Sequence, residues 1–172
     1  MTVVGIAGCT ALMTAGFGIK NSIESLIHNQ YGELIHYDSV ATFTDGVTQE
    51  DMDTLEGDLS ADGHIDDFLL NCGYSDDVKS SEDTETAEYV IVDDKNAFKD
   101  YVTLRTRRKH NDVVLGDSGV VITEKLSKDL GVKKGDKITV TSSAGKQAEA
   151  VVSSITEMYV NHYVYISTES VS

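Results

Sequence analysis

The stretch Asp58-Leu59-Ser60-Ala61-Asp62-Gly63-His64-Ile65-Asp66 sets oxygen-bearing residues at alternate positions, with a glycine in the sixth place. This is the spacing of a calcium loop, because a hard divalent cation gathers about six to eight oxygens from a chain that bends sharply around it. The candidate ligands are Asp58, Ser60, Asp62, His64 and Asp66. A closed loop of this kind ends on a bidentate glutamate in the twelfth place, and that place holds Leu69. Acidic residues crowd this part of the chain, so the simpler reading is a solvated acidic turn.

Other chemistry-bearing residues do not converge. His28, His36, His64, His110 and His162 are scattered, and none forms a metal-binding pair at helical spacing. His64 and Cys72 would need two further zinc ligands that the sequence does not supply. There is no Gly-x-Ser-x-Gly elbow. Gly145-Lys146 runs into Gln147 without the glycine and hydroxyl of a phosphate loop. The sequence therefore argues for no catalytic residue, no bound cofactor and no enzyme, and any ATP must be bound by a separate subunit. Cys9 and Cys72 lie in unlike contexts and make no disulfide framework.

Charge narrows the partners. Of 172 residues with net charge −15, residues 45–100 hold 18 acids against three lysines and so carry the whole excess. An acidic surface repels phosphate backbones, which argues against nucleic acid. The short basic run Arg105, Arg107, Arg108 and Lys109 reads as a solvated turn or a patch facing anionic headgroups.

These residues need elements to position them. Residues 1–19 carry no charge, and a bilayer needs about 20 apolar residues as a helix. Ala7, Ala11 and Ala15 share one helical face, with Gly8 and Gly16 beside them, which suits close helix packing. Helical spacing continues through Ile19, Ile23, Leu26 and Ile27, so one helix is expected from about 3 to 30, leaving a bilayer near Lys20. Rival readings are a buried core helix and a lipoprotein box at Ile6-Ala7-Gly8-Cys9; a signal peptide lacks its basic start.

After the helix, a strand is expected over 34–43 and a helix over 49–57 capped by Thr48 with Asp51. Residues 74–86 read as an exposed acidic loop and 87–92 as a strand. Asp93 or Asp94 caps a helix over 95–101. Val120 to Ile122 make a strand, Thr123 caps a helix that Gly131 ends, and Gly135-Asp136 turns into Lys137-Ile-Thr-Val-Thr141. Strands near 147–156 and 160–166 follow. The expected class is α+β with a mixed, mostly antiparallel sheet: residues 1–30 end a transmembrane helix, and 31–172 form the domain, with 45–86 as a sub-lobe.

The opening VVGIAGCTALMTAGFGIKNSI with IHNQYGELIHYD, together with GVVITEKLSKDLGVKKGDKITV and SSITEMYVNHYVYIS, resembles FtsX-like ABC transporter permeases of Gram-positive type, with their MacB-like core domain. The resemblance covers both ends of the chain and fades over 45–86. It implies four membrane helices, a permease dimer and a separate cytoplasmic ABC ATPase subunit. It also implies a cell-membrane location, with residues after about 20 on the extracytoplasmic side. Function would then be transport or mechanotransmission, with an extracellular protein or peptide as a further partner. The segment Lys20, Ile23, Ile27 and Tyr31 would carry motion from helix to domain. The alternatives are a membrane-anchored or lipoprotein-type binding module without an ATPase, and a calcium-stabilised adhesin-like domain.

Overall fold

The computed structural model describes residues 2–43, 47–142 and 144–170. A first helix, α1 (Thr2–His28), passes without a break into a π-helical turn, Asn29–Leu34. At about 1.5 Å per residue its 27 residues reach roughly 40 Å. Helix α2 (Gln49–Ala61) starts on a complete capping box, in which Thr48 and Asp51 each satisfy the other's backbone N–H. It buries no residue. The remaining elements are β1 (Cys72–Lys79), β2 (Thr84–Val92), α3 (Lys95–Tyr101), β3 (Val120–Thr123), α4 (Glu124–Asp129), β4 (Lys137–Thr141), β5 (Gln147–Thr156) and β6 (Tyr163–Ser167).

The strands close into a barrel in the order β1-β2-β6-β3-β5-β4. β2 runs parallel to β6 and β3 parallel to β5, while the other four neighbours are antiparallel. Period-two alternation sorts the core into an inside and an outside. Val120 and Ile122 of β3 and Val164 and Ile166 of β6 point inward, onto Tyr89, Leu126, Leu130, Ile138 and Val152. Val121 and Tyr165 point outward and pack with Leu34, Val92, Phe98, Val102, Leu104, Leu115 and Met158. This outer cluster is where the end of α1 lands. Gly119 permits the close approach of β3 to β5. Its φ is +76°, and a Cβ there would lie 2.6 Å from the Val151 carbonyl oxygen.

Several expectations are corrected. A closed barrel, four of its six strand pairs antiparallel and two parallel, replaces the mixed α+β sheet domain of MacB-like type. Each parallel pair joins strands far apart in sequence, and local periodicity carries no information on that pairing. Residues 74–86 are not a loop but most of the β1–β2 hairpin, in which Ser75, Asp77 and Glu88 share the solvent face while Val78 and Ala87 turn inward. The strand expected over 34–43 shrinks to one bridge, Ile35 to Val102.

The expected helix is present as α1, but no helix among the described residues is long and apolar enough to cross a membrane. The polar residues Lys20, Asn21, Ser22, Glu24 and Ser25 within the same helix, with its glycines and threonines, lower its hydropathy. The transmembrane end assigned to residues 1–30 is overturned by this. So are the cell-membrane, extracytoplasmic placement and the transmembrane transporter description.

Candidate functional site

The segment that joins α1 to the barrel holds the densest polar cluster. Gln30 is fully buried in the π-turn. Its amide donates to the Met158 sulfur at 2.9 Å, and its oxygen accepts the Tyr159 N–H at 2.8 Å. Asn29, one residue earlier, donates to the Tyr159 hydroxyl at 3.0 Å. The wide turn makes this pairing reachable, because its i to i+5 bond, Ile35 N–H to Gln30 C=O at 2.9 Å, swings both amides onto the barrel. The Leu34 carbonyl then accepts the Thr103 N–H at 2.8 Å.

An arginine crosses the same junction. Arg105 donates through Nε to Glu157 at 2.9 Å and through an Nη to Glu33 at 2.5 Å, so one guanidinium ties the turn to the end of β5. Its backbone carbonyl accepts the Glu157 N–H at 2.7 Å, which fixes the acid in register with the base. Glu157 also accepts the Tyr159 hydroxyl at 2.5 Å. The hydrogen bond from Arg105 holds the Glu33 carboxyl below its ordinary range. Burial works against the Arg105 charge, but its bonds to Glu33 and Glu157 outweigh it and raise its pKa. Burial and the bond to Glu157 push the Tyr159 hydroxyl up.

These groups consume one another. The Glu33 and Glu157 carboxylates and the Gln30 oxygen each accept a bond from a neighbour in the cluster, which holds α1 in place. A cleft of about 410 Å³ beside it is lined by Asn21, Ser22, Ser25, Asn29, Arg107 and Tyr159. Arg107 stacks over the Tyr159 ring at 5.0 Å and pairs with Glu124 at 3.1 Å.

The bonds at the junction are made by residues other than those named for helix packing and coupling. Ala7, Gly8, Ala11, Ala15 and Gly16 lie on the free length of α1, exposed on every side. Lys20 pairs with Glu24 on its own helix, at 3.6 Å. Ile23, Ile27 and Tyr31 face solvent, and the junction is made by the polar residues between them. The signal available was a glutamine and an asparagine closing an otherwise apolar helix, and a lone Glu157 ahead of Met158 and Tyr159.

The calcium positions do not assemble. Asp58 and Ser60 sit on α2, and Asp62 turns its carboxylate to the His64 N–H and Nδ1, both at 3.0 Å. His64 and Asp66 are exposed. Among the described residues no group of three or more histidine, cysteine or acidic side chains could hold a metal ion. His36 meets the Thr103 hydroxyl at 2.7 Å, and His162 meets Asp129 at 3.3 Å. Cys9 and Cys72 are free and exposed.

Comparison with known proteins leaves the site to stand on its own geometry. No family model matches the chain, and no curated protein matches it.

Proposed function

We propose that the chain is a non-catalytic coupling domain: a projecting helix takes up displacement from a partner, and the buried junction passes it to the barrel. The single observation that carries this reading is the contrast along α1. Residues 5–25 are exposed throughout, while Asn29, Gln30, Glu33 and Leu34 are fastened to the barrel by the bonds described above. The uncharged length of this helix, 5–19, is covered by nothing described in its own chain, which suits burial against a partner. Helical segments of a larger assembly are the fitting partner, since the length from 2 to 19 bears no charge. A stiff lever on a fixed joint transmits rigid-body motion, whereas a tether would not.

The resemblance to FtsX-like permeases supports an assembly in which a separate ABC ATPase subunit supplies the motion and this chain works as a dimer. A protein or peptide bound to the barrel would receive it. On this reading ATP is bound by that other subunit, and this chain uses no cofactor.

The native cysteines offer the test. Spin labels on Cys9 and Cys72 report the angle between α1 and the barrel. A narrow distance distribution in the wild-type chain, broadened by Gln30→Ala with an unchanged barrel spectrum, is the expected result. A distribution already as broad in the wild type as in Gln30→Ala makes the junction a tether and ends the proposal.

A further inference from the structure

The barrel's seam between β1 and β4 is closed by only two residue pairs, Val78–Val140 and Lys79–Thr139. β1 pairs with β2 along its whole length, from Cys72–Ile91 to Lys79–Thr84. Residues 72–76 therefore overhang the seam, with β2 on one side and no described strand on the other.

Asp77 shows which atoms face the open side. Its N–H is taken by the Asp76 carboxylate at 2.7 Å. Its carbonyl accepts the Thr141 and Tyr89 hydroxyls, each at 3.0 Å. Asp77 thus turns its backbone toward β4 and away from β2. An antiparallel ladder alternates with period two, so Ser75 and Gly73 turn their N–H and C=O groups to the same side, beyond the reach of β4. Both residues are exposed. Tyr74 between them is held by stacking on Tyr89, with centroids 4.7 Å apart, and by a bond from its hydroxyl to the Thr141 carbonyl at 3.1 Å. The edge is extended and pre-ordered, and such edges pair with further strands unless something blunts them.

Charge selects the occupant. Asp76 and Asp77 lie on the strand, Glu88 stands opposite Ser75, and Asp66 and Asp67 precede it. A second copy pairing through the same edge would bring two acidic strands side by side, which like charge disfavours. A lysine- or arginine-bearing segment would meet opposite charge from Asp77 and Glu88 on the exposed face.

We propose that the open edge of β1, residues 72–76, takes up an extended basic segment of a partner protein as an added strand. Backbone bonds to Gly73 and Ser75 supply the register, and the flanking carboxylates supply the preference for cations.

The probe is a short synthetic peptide in which lysines alternate with valine and threonine, added to the full chain and followed by amide hydrogen exchange and calorimetry. Protection of the Gly73 and Ser75 amides, and an affinity that falls with salt, are the expected results. N-methylation of alternate peptide nitrogens should weaken binding by at least about tenfold, since it removes the donors of the new ladder. Ser75→Pro should do the same from the protein side, at a position where an edge strand tolerates proline. If that variant fails to fold, the N-methylated peptide on the wild-type chain decides alone. Absence of binding, equal binding of the N-methylated peptide, unchanged exchange at Gly73 and Ser75, or self-association through this edge would each overturn the proposal.

Discussion

Replacing Arg105 with leucine separates a fastening role for the junction from mere surface pairing. The Arg105 side chain is 12% exposed, and its two partners differ: Glu33 is 38% exposed and Glu157 only 2%. Water can take over the first carboxylate but not the second. Removing one partner of a buried pair strands the other and costs about 3–5 kcal/mol. The Tyr159 hydroxyl still reaches Glu157 at 2.5 Å, which places the cost at the lower end, about 3 kcal/mol. That is roughly a hundredfold fall in the folded-to-unfolded ratio. Urea unfolding at neutral pH, followed by circular dichroism, measures it. Arg105→Leu combined with Glu157→Leu removes both charges and should return to within about 1 kcal/mol of the wild type. Glu33→Gln should move stability little. If the single and the double replacement lose equal amounts, or if Arg105→Leu alone loses less than about 1 kcal/mol, the pair is not buried in the sense argued and the junction is weaker than described.

Gly119→Ala should cost more than about 2 kcal/mol in the same assay, from a positive φ and a 2.6 Å clash with the Val151 carbonyl. Gly145→Ala, also at positive φ but in open space, should cost only about 1 kcal/mol. Tyr89→Phe strands the buried Thr141 N–H and should cost about 1–3 kcal/mol. Burial pushes the Tyr89 hydroxyl up to about 12, so between pH 10 and that value the folded chain keeps a proton that the unfolded chain releases. Wild-type stability falls with rising pH across that window, and Tyr89→Phe should flatten the fall. On the acid side, hydrogen bonds lower Glu33 through Arg105, Asp94 through the Ala97 and Asn96 N–H groups, and Asp129 through Lys125. Their stabilisation is complete above the ordinary carboxylate range and is lost as pH drops through the lowered folded values, which acid titration followed by circular dichroism should show.

Local chemistry was legible wherever a few neighbouring residues decide the outcome. Thr48 with Asp51 caps α2, Asp94 caps α3, and Gly131 ends α4 at φ +68°. Thr123 does occupy the cap position of α4, yet its hydroxyl makes no cap bond and instead accepts the Tyr163 N–H from β6 at 3.3 Å. That difference marks the limit of local reading: a side chain with two available partners goes to whichever the fold brings nearer. The same limit hid the junction. Gln30 meets Met158, and Glu33 meets Arg105, only because the π-turn and the outer cluster bring distant segments together. The acidic hairpin was misread because its solvent face dominates composition, and only Val78, Ala87 and Tyr89 betray the buried one.

The pairing of β2 with β6 also governs the order in which the chain can mature. Glu88 waits for Tyr163, and Val92 for Ser167, so the ring stays incomplete until nearly the last described residue has left the ribosome. The β1–β2 hairpin needs only its own turn and can form early, but the contacts that close the ring are remote in sequence and slow to find. During that interval the uncharged N-terminal length is already synthesised and uncovered. The partner proposed for α1 would therefore meet that length before the ring is closed.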